Sequence, residues 1–181
     1  FRKRTGFRAK VDQALFVEAE GTADPLRVLT GLAMQAHALG VLRAYDTDAS
    51  EVTATSVTTH DGRVLEADAV VLAPGAWASE KVMSAAPALK RIRPGKGMVA
   101  AVEIERPLGP NVRAGDFYVA QRRDDVVLGS TLEFDRFDRK VDRTKIAELH
   151  AAAERLLPGD LRLTDQAWAG IRPMSPDGWP M

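Results

Sequence analysis

The chain has 181 residues, of which 45% are hydrophobic and 28% are charged, a globular composition with room for one core or for part of two domains. Lys plus Arg and Asp plus Glu number 25 each, and this balanced charge gives no support to nucleic acid as a partner. Cysteine is absent, which excludes disulfides, thiolate catalysis and zinc–thiolate sites and fits a cytoplasmic location, and no apolar run approaches the roughly 20 residues of a transmembrane helix.

The first predicted element is a helix that begins after residue 23. Asp24 is a suitable N-cap, and Pro25 fits the first helical position, where a missing N–H does no harm. Leucine and alanine then recur at helical spacing over residues 26–39, and Gly40 is a natural C-terminal cap. A strand is predicted to follow from Val41 to about Tyr45.

Strands are also predicted over residues 52–73. Val52–Thr59 is rich in β-branched side chains, and Asp61-Gly62 is a hairpin turn signal that leads to Val64–Glu66. The short run Ala69–Ala73 is apolar throughout, which is typical of a strand that is buried on both faces of a sheet.

The second half of the chain predicts mostly strands around one helix. Strands are predicted at Gly97–Ile104, Phe117–Gln121, Val126–Glu133 and Leu161–Ile171. The polar turn at residues 123–125 predicts that the second and third of these strands pair. Apolar residues recur at helical spacing over residues 142–157, and Pro158-Gly159 ends that helix. This mixed order predicts an α+β fold with one α/β-like segment near residues 24–77.

The first candidate site is the sharp turn that follows the apolar run. Gly75 ends the run, and a helix is predicted to begin near Trp77. Glycine allows a ligand to approach the backbone closely, and a helix N-terminus attracts phosphate or another electron-rich group. The alternative is a tight strand-to-helix turn in which Trp77 belongs to the core, and the residues alone favour this plainer interpretation.

Two polar side chains on predicted strands form the second candidate site. Arg172 follows a strand that otherwise predicts burial, and its planar fork matches a carboxylate with two hydrogen bonds. The alternative for Arg172 is a salt bridge within the protein or a surface position beside a turn. The Tyr118 hydroxyl is suited to bind a substrate, although such a tyrosine more often belongs to the core with its tip in water.

Three further patterns predict no chemistry. The letters Gly95-Lys-Gly97-Met-Val-Ala100 match a dinucleotide fingerprint, but they follow Pro94 rather than a strand, and the residues after them predict a strand. The histidines show neither metal spacing nor a triad, so no metal site and no catalytic residue is predicted; they are His37, His60 and His150. The charged run over residues 135–145 is interpreted as a solvated loop.

Several short motifs occur in a fixed order along most of the chain. They are Asp24-Pro25, Ala73-Pro-Gly75-Ala-Trp77, Arg91-Ile-Arg-Pro-Gly-Lys-Gly97, Tyr118-Val-Ala-Gln-Arg122, Leu128-Gly-Ser-Thr131 and Trp168-Ala-Gly-Ile-Arg172-Pro-Met-Ser-Pro-Asp177-Gly178. Each motif alone is weak, but their order and compatible spacing together are specific. Together they resemble the FAD-dependent D-amino-acid oxidase superfamily, in particular its glycine oxidase and D-amino-acid dehydrogenase branch.

The resemblance implies a two-domain fold, in which a Rossmann-like domain holds FAD and a large mixed, mainly antiparallel sheet covers the flavin. Residues 1–23 would be a segment of the substrate domain, and residues 24–90 would be part of the discontinuous FAD-binding domain. Residues 91–168 would be the substrate-binding domain, and residues 169–181 would return toward the FAD-binding domain. The Gly-rich phosphate motif and a last FAD-contacting segment are expected outside this sequence. This piece alone is therefore expected to hold FAD weakly or not at all and to be inactive.

The resemblance also implies roles for five residues. Arg172 matches the arginine that holds the substrate carboxylate, and Tyr118 matches the tyrosine that lines the same pocket. Ala73, Gly75 and Trp77 match the turn that passes close to the flavin. Because the chain has no cysteine, a cysteine-linked flavin is excluded within it, and the FAD is expected to be non-covalent.

The implied function is oxidation of a small amino acid or secondary amine by hydride transfer from the substrate Cα to flavin. Two other classes stay open. One is a noncatalytic binding or assembly module that retains the fold, and the other is a glycerol-phosphate-type flavin dehydrogenase in which Arg172 meets a phosphate. The sequence also leaves open the electron acceptor, a peripheral membrane or quinone link, and a homo-oligomer.

Overall fold

The computed structural model describes residues 2–5, 8–105, 109–122 and 125–179. The helices are α1 (Arg2–Thr5), α2 (Pro25–Ala38), α3 (Glu80–Ala85) and α4 (Arg143–Leu156), with a 3-10 helix at Pro87–Arg91. The strands are β1 (Ala49–Val52), β2 (Ser56–Thr59), β3 (Val64–Glu66), β4 (Arg93–Glu103), β5 (Val112–Ala114), β6 (Phe117–Gln121), β7 (Val126–Gly129), β8 (Glu133–Phe134) and β9 (Arg162–Met174). These elements confirm the predicted α+β class.

Six of the strands form one large sheet with β4 at its centre. β4 pairs with β7 and β8 along one side and with β9 along the other. β6 joins β7 to the short strand β5, and every pairing between the described strands is antiparallel. The predicted pairing of β6 with β7 is therefore confirmed, while residues 123–124 of the turn between them lie outside the described residues.

The core lies between one face of this sheet and helix α4. Alternate residues of β4, namely Met98, Ala100 and Val102, are buried on this face. Ile146 of α4 packs in one cluster with Met98 and Ala100, and Leu149 packs in the cluster that contains Val102. The two-residue period of the strand and the 3.6-residue period of the helix thus bring two apolar surfaces together.

Both long helices have an aspartate as N-cap, and the one at Asp24 is predicted from the sequence. Asp142 and Asp24 each accept hydrogen bonds from two backbone N–H groups in the first turn of α4 and α2. Burial distinguishes the two helices, because α4 buries part of its apolar face whereas α2 has no buried residue. Among the described residues, no helix is long and apolar enough to cross a membrane.

The β-branched stretch Val52–Thr59 is not one strand. β1 ends at Val52 and β2 begins at Ser56, and together with β3 they form a separate three-stranded antiparallel sheet. Thr53 explains the interruption, because its hydroxyl accepts hydrogen bonds from the backbone N–H groups of Thr55 and Ser56. The hairpin from β2 to β3 is confirmed.

The strands predicted at Val41–Tyr45 and Ala69–Ala73 are wrong. The residues of the first segment are exposed, and Val71 in the second is 89% exposed. The backbone N–H of Val70 donates to the Ala54 carbonyl at 3.1 Å, but no ladder between described residues continues this bond. An apolar run becomes a buried strand only when neighbouring strands pair with it, and the described residues provide none here.

The sharp turn at Gly75 is confirmed. Gly75 has a φ of 60°, in the left-handed region that favours glycine, and the N–H of Trp77 donates to the Pro74 carbonyl at 3.1 Å. The helix predicted near Trp77 begins at Glu80, because Ser79 supplies the N-cap. Trp77 is 51% exposed, so it does not belong to a closed core in this structure.

Two strands of the large sheet differ from their predictions in their bounds, and one of them also differs in its burial. Val126–Glu133 is divided, since β7 ends at Gly129 and β8 begins at Glu133. The strand predicted at Leu161–Ile171 extends through Arg172 to Met174. The expectation of burial is wrong for this strand, β9, in which no residue is fully buried, because β4 is its one neighbour among the described strands.

The C-caps of the two long helices provide a matched test of this packing. Leu157 caps α4 and is 0% exposed, whereas Leu39 caps α2 and is 78% exposed. Leu157→Ala is expected to lower the free energy of unfolding by about 2–5 kcal/mol, because it leaves a cavity in the core. Leu39→Ala is expected to change it by less than about 0.5 kcal/mol. Urea denaturation checks both values, and equal losses would contradict the difference in packing.

Candidate active site

The face of the large sheet opposite α4 carries two of the predicted site residues. Residues directly opposite each other in an antiparallel sheet point to the same face. Tyr118 lies opposite Gly129, and Gly129 lies opposite Val99 of β4. Arg172 lies opposite Gly95, which shares a face with Val99 because an even number of positions separates them. Arg172 and Tyr118 therefore lie on one face, called the open face below.

The guanidinium of Arg172 lies over Gly97 on the open face. A Cβ atom on Gly97 would overlap Nη2 of Arg172 and would lie 3.4 Å from its Cζ. Nη2 also donates to the Ser130 hydroxyl at 3.4 Å, which is a long hydrogen bond. Within the described ranges, Arg172 forms no ion pair with a carboxylate, and its side chain is exposed. Its charge and most of its N–H donors are thus available to a ligand.

The Tyr118 side chain lies over Gly129 in the same way. A Cβ atom on Gly129 would lie 2.5 Å from both Cζ and the hydroxyl oxygen of Tyr118. Tyr118 is half-buried, and its hydroxyl has no hydrogen bond to any residue that the structure describes. The hydroxyl is therefore a second free polar group on the open face.

Trp168 lies on the open face as well, opposite Val99. Cζ of Arg122 lies 4.9 Å from the Trp168 ring centroid, which is cation–π distance. A hydrogen bond with Asp125 raises the pKa of Arg122, and the two form an ion pair. Arg122 is thus already neutralised by a carboxylate, in contrast with Arg172.

The turn that contains Ala73, Gly75 and Trp77 contacts a different part of the chain, residues 135–140, called the Asp138 loop below. The Trp77 ring lies edge-to-face with Phe137, at 5.6 Å between centroids and 70° between planes. Cζ of Arg139 lies 5.8 Å from the Trp77 ring centroid. The predicted site residues therefore form two groups, one on the open face and one at this turn.

Two glycines on which the open face depends are not among the predicted site residues. Gly95 and Gly97, set aside as a failed dinucleotide fingerprint, both lie in β4. Gly97 makes room for Arg172, and a Cβ atom on Gly95 would lie 2.6 Å from Cγ of Met174. The signal was present in the sequence, because glycines two positions apart in a strand indicate close approach on one face.

A cavity and a metal cluster are the alternatives to the open face as a site. A cavity of about 830 Å³ lies between residues 11–22 and β5, and its lining includes none of the five predicted site residues. The described ranges contain no group of three His, Asp or Glu residues that could hold a metal ion. The open face is a surface rather than a cavity, and its arrangement of free polar groups makes it the candidate site.

Comparison with known proteins places these observations in a family. The model of a family described as FAD dependent oxidoreductase matches residues 2–181. Glycine oxidase of Pseudomonas putida KT2440 is 38% identical over 129 residues, which cover 70% of this chain and 35% of the relative. D-amino acid dehydrogenase of Bradyrhizobium diazoefficiens is 32% identical over 188 residues, which cover 97% of this chain and 44% of the relative.

Solved structures agree with the sequence relatives. Glycine oxidase from Geobacillus kaustophilus superposes with a TM-score of 0.73 at 27% identity, over 83% of this chain and 42% of that chain. L-proline dehydrogenase from P. horikoshii has a TM-score of 0.74 at 22% identity, over 87% of this chain and 46% of that chain, and shows the same fold. The chain thus spans less than half the length of these relatives.

Gly97→Ala is expected to displace the Arg172 guanidinium, because the added Cβ atom would overlap Nη2, the end of a flexible side chain, and would lie 3.2 Å from the Thr131 carbonyl oxygen. Gly170 lies directly opposite Gly97, and a Cβ atom there would have nothing within 4 Å, so Gly170→Ala is the control. NMR of the arginine Nε–H groups, assigned with Arg172→Lys, should show a moved Arg172 resonance only in Gly97→Ala. An unmoved resonance would mean that the guanidinium does not lie over Gly97.

Proposed function

The chain belongs to the family of FAD dependent oxidoreductases, and from this membership we propose that the complete protein oxidises a small amino acid or a secondary amine. In the proposed reaction, a hydride leaves the substrate Cα for the flavin. The names of its relatives, glycine oxidase and D-amino acid dehydrogenase, support an amino acid as the substrate.

The observation that carries this proposal is the uncompensated charge of Arg172. A planar guanidinium binds a carboxylate through two parallel N–H···O bonds. Here Gly97 makes room for the guanidinium, yet no carboxylate of the described residues pairs with it. A substrate carboxylate is the partner that completes this arrangement.

The described residues fit a flavin in two respects. Gly170 is exposed and lies between Trp168 and Arg172 on the open face, and a Cβ atom there would meet nothing within 4 Å, so a planar ring has room against the sheet. The turn from Ala73 to Trp77 has exposed residues at both ends and a glycine at its centre. We assign Ala73, Gly75 and Trp77 to contacts with a non-covalent FAD.

When bound, FAD supplies the hydride acceptor, and the protein supplies position and charge. Arg172 holds the carboxylate, so that the Cα–H bond of the substrate faces the cofactor. Orientation of this kind contributes on the order of 7–11 kcal/mol toward lowering a barrier. Tyr118 adds a hydroxyl that can donate to the carboxylate or accept from the amine.

The proposed reaction does not require a side chain that acts as a general base. If the amine enters in its neutral form, no group of the protein has to remove a proton from it before oxidation. The role of Arg172 is accordingly to bind and orient the substrate rather than to exchange protons with it.

The proposal assigns each segment of the chain to the substrate-binding or the FAD-binding domain. Residues 91–168 build the substrate-binding domain, and residues 24–90 carry the turn that meets the cofactor. Residues 1–23 are assigned to the substrate side, and residues 169–181 lead back to the FAD side. The glycine-rich β4 belongs to the substrate part, and the Asp138 loop connects it with the turn.

Arg172→Ala in the complete protein is expected to raise KM for amino-acid substrates at least tenfold. A hydrogen bond to a charged group contributes about 1.5–3 kcal/mol, and roughly 1.4 kcal/mol corresponds to a factor of ten. Arg172→Lys should recover part of the loss, since an ammonium group lacks the paired donors of arginine. Steady-state kinetics with a series of amino acids measures both variants.

Amines that lack a carboxylate are the control substrates for this experiment. Their kcat/KM should be nearly insensitive to Arg172→Ala, because the interaction removed is specific to the carboxylate. Equal losses for both substrate classes would mean that Arg172 has a structural role and that the carboxylate binds elsewhere.

A further inference from the structure

A buried lysine lies directly behind the site where Arg172 rests. Lys96 is the residue of β4 between Gly95 and Gly97, so its side chain points to the opposite face of the sheet, where α4 packs. Lys96 is 2% exposed. A lysine is almost never buried to this extent unless it is paired, because its charge loses its hydration.

The partner of Lys96 is Asp138, at the centre of a loop. Nζ of Lys96 donates to Oδ1 of Asp138 at 2.8 Å. Nη2 of Arg136 donates to Oδ2 at 2.9 Å, and the backbone N–H of Lys140 donates to Oδ1 at 2.9 Å. The hydrogen bond from Lys96 holds the pKa of Asp138 well below its usual range, and the other two donors act in the same direction. Asp138 is thus a carboxylate that anchors its loop to β4.

The residues on either side of Asp138 contact the turn assigned to the cofactor. Phe137 lies edge-to-face with the Trp77 ring at 5.6 Å, and Arg139 lies over the same ring at 5.8 Å. Phe137 and Arg139 are the immediate chain neighbours of Asp138, so a carboxylate held at Asp138 restrains the backbone from which both contacts are made.

Asp135 anchors the start of the same loop to β4, since its backbone N–H donates to the Pro94 carbonyl at 2.9 Å and its carboxylate pairs with Arg93. The Lys96–Asp138 pair is the anchor that lies between the two residues in contact with Trp77.

We propose that Lys96 is a positioning residue that sets, through Asp138, the place of Trp77 and with it the cofactor turn. The proposal rests on the proposed function, because it gives the turn a role toward FAD. It also joins the two groups of site residues, since the same stretch of β4 makes room for Arg172 on one face and holds the Asp138 loop on the other.

The structure offers a matched ion pair that lacks this connection. Nζ of Lys145 donates to Oε2 of Glu133 at 2.5 Å, near the same end of the sheet. Glu133 lies in β8 rather than in the Asp138 loop, and no aromatic contact links it with Trp77 among the described residues. Lys145→Met therefore removes a lysine ion pair while leaving the Lys96–Asp138 pair in place.

The test uses ¹⁹F NMR of the complete protein labelled with 5-fluorotryptophan, with the Trp77 resonance assigned by Trp77→Phe. Lys96→Met is expected to move the Trp77 resonance by more than its linewidth and to leave those of Trp168 and Trp179 in place. Lys96→Arg should bring the Trp77 resonance back toward its original position, because it restores a cation to Asp138. Lys145→Met should move none of them.

Lys96→Met leaves Asp138 without its lysine and could therefore misfold. A second variant serves as a control for this outcome. In Lys96→Met combined with Asp138→Asn, both charges of the pair are absent, so no unpaired charge is buried. This double variant should also move the Trp77 resonance. An unmoved Trp77 resonance in both variants, or an equal movement in Lys145→Met, overturns the proposal.

Measuring the affinity for FAD distinguishes a failure of this proposal from a failure of the proposed function. Lys96→Met is expected to raise the dissociation constant of FAD at least about threefold, the size of one lost aromatic contact, while KM for the amino acid stays within about twofold. Arg172→Ala should show the reverse pattern. Movement of Trp77 with unchanged FAD affinity would confirm the coupling through Lys96 and contradict the cofactor role of the turn.

Discussion

The alternation of side chains along β4 is the constraint on which the candidate site depends. One face of this strand must be apolar enough to hold α4, and Met98, Ala100 and Val102 fill that role. The other face must carry almost no side chain where large groups from neighbouring strands lie across it. Gly95 and Gly97 meet this second demand, because any larger residue would overlap Met174 or Arg172. A shift of one residue in the pairing of β4 would exchange the two faces and destroy both the core and the site.

The charged side chains of the sheet also differ between its packed face and its open face. On the packed face, Lys96 is desolvated and therefore paired with Asp138. Beside Trp168, Arg122 is paired with Asp125. Arg172 is exposed and has no carboxylate among the described residues, so it keeps its capacity to bind one. A cofactor that covers the open face would exclude water and strengthen the interaction between this arginine and a bound carboxylate.

The sequence predicts the elements of the second half well, because local signals and tertiary packing agree there. Asp142 caps α4, and the apolar period of that helix matches a sheet face that the chain itself provides. The run Ala69–Ala73 shows the opposite case: its composition predicts a buried strand, but burial depends on neighbouring strands that the described residues do not include. The same holds for α2, whose apolar spacing predicts a packed helix although none of its residues is buried.

The sequence predicts those site residues that belong to recognisable motifs. The sequence predicts Arg172 and Tyr118 on strands, the resemblance implies that they line one pocket, and the register places them on one face of one sheet. The space that they occupy was not predicted, because a glycine in a strand gives no sign of which side chain will lie over it. Lys96 was missed because a lysine between two glycines has no pattern that indicates burial, and its partner Asp138 lies in a charged run interpreted as a solvated loop.

The central claim is that Arg172 binds the substrate carboxylate, and a crystal structure of the complete protein with FAD and acetate tests it most directly. The account predicts both acetate oxygens at about 2.7–3.2 Å from guanidinium nitrogens of Arg172, with the guanidinium still over Gly97. Acetate bound at another cation, with Arg172 instead in an ion pair with a carboxylate of the protein, would contradict it.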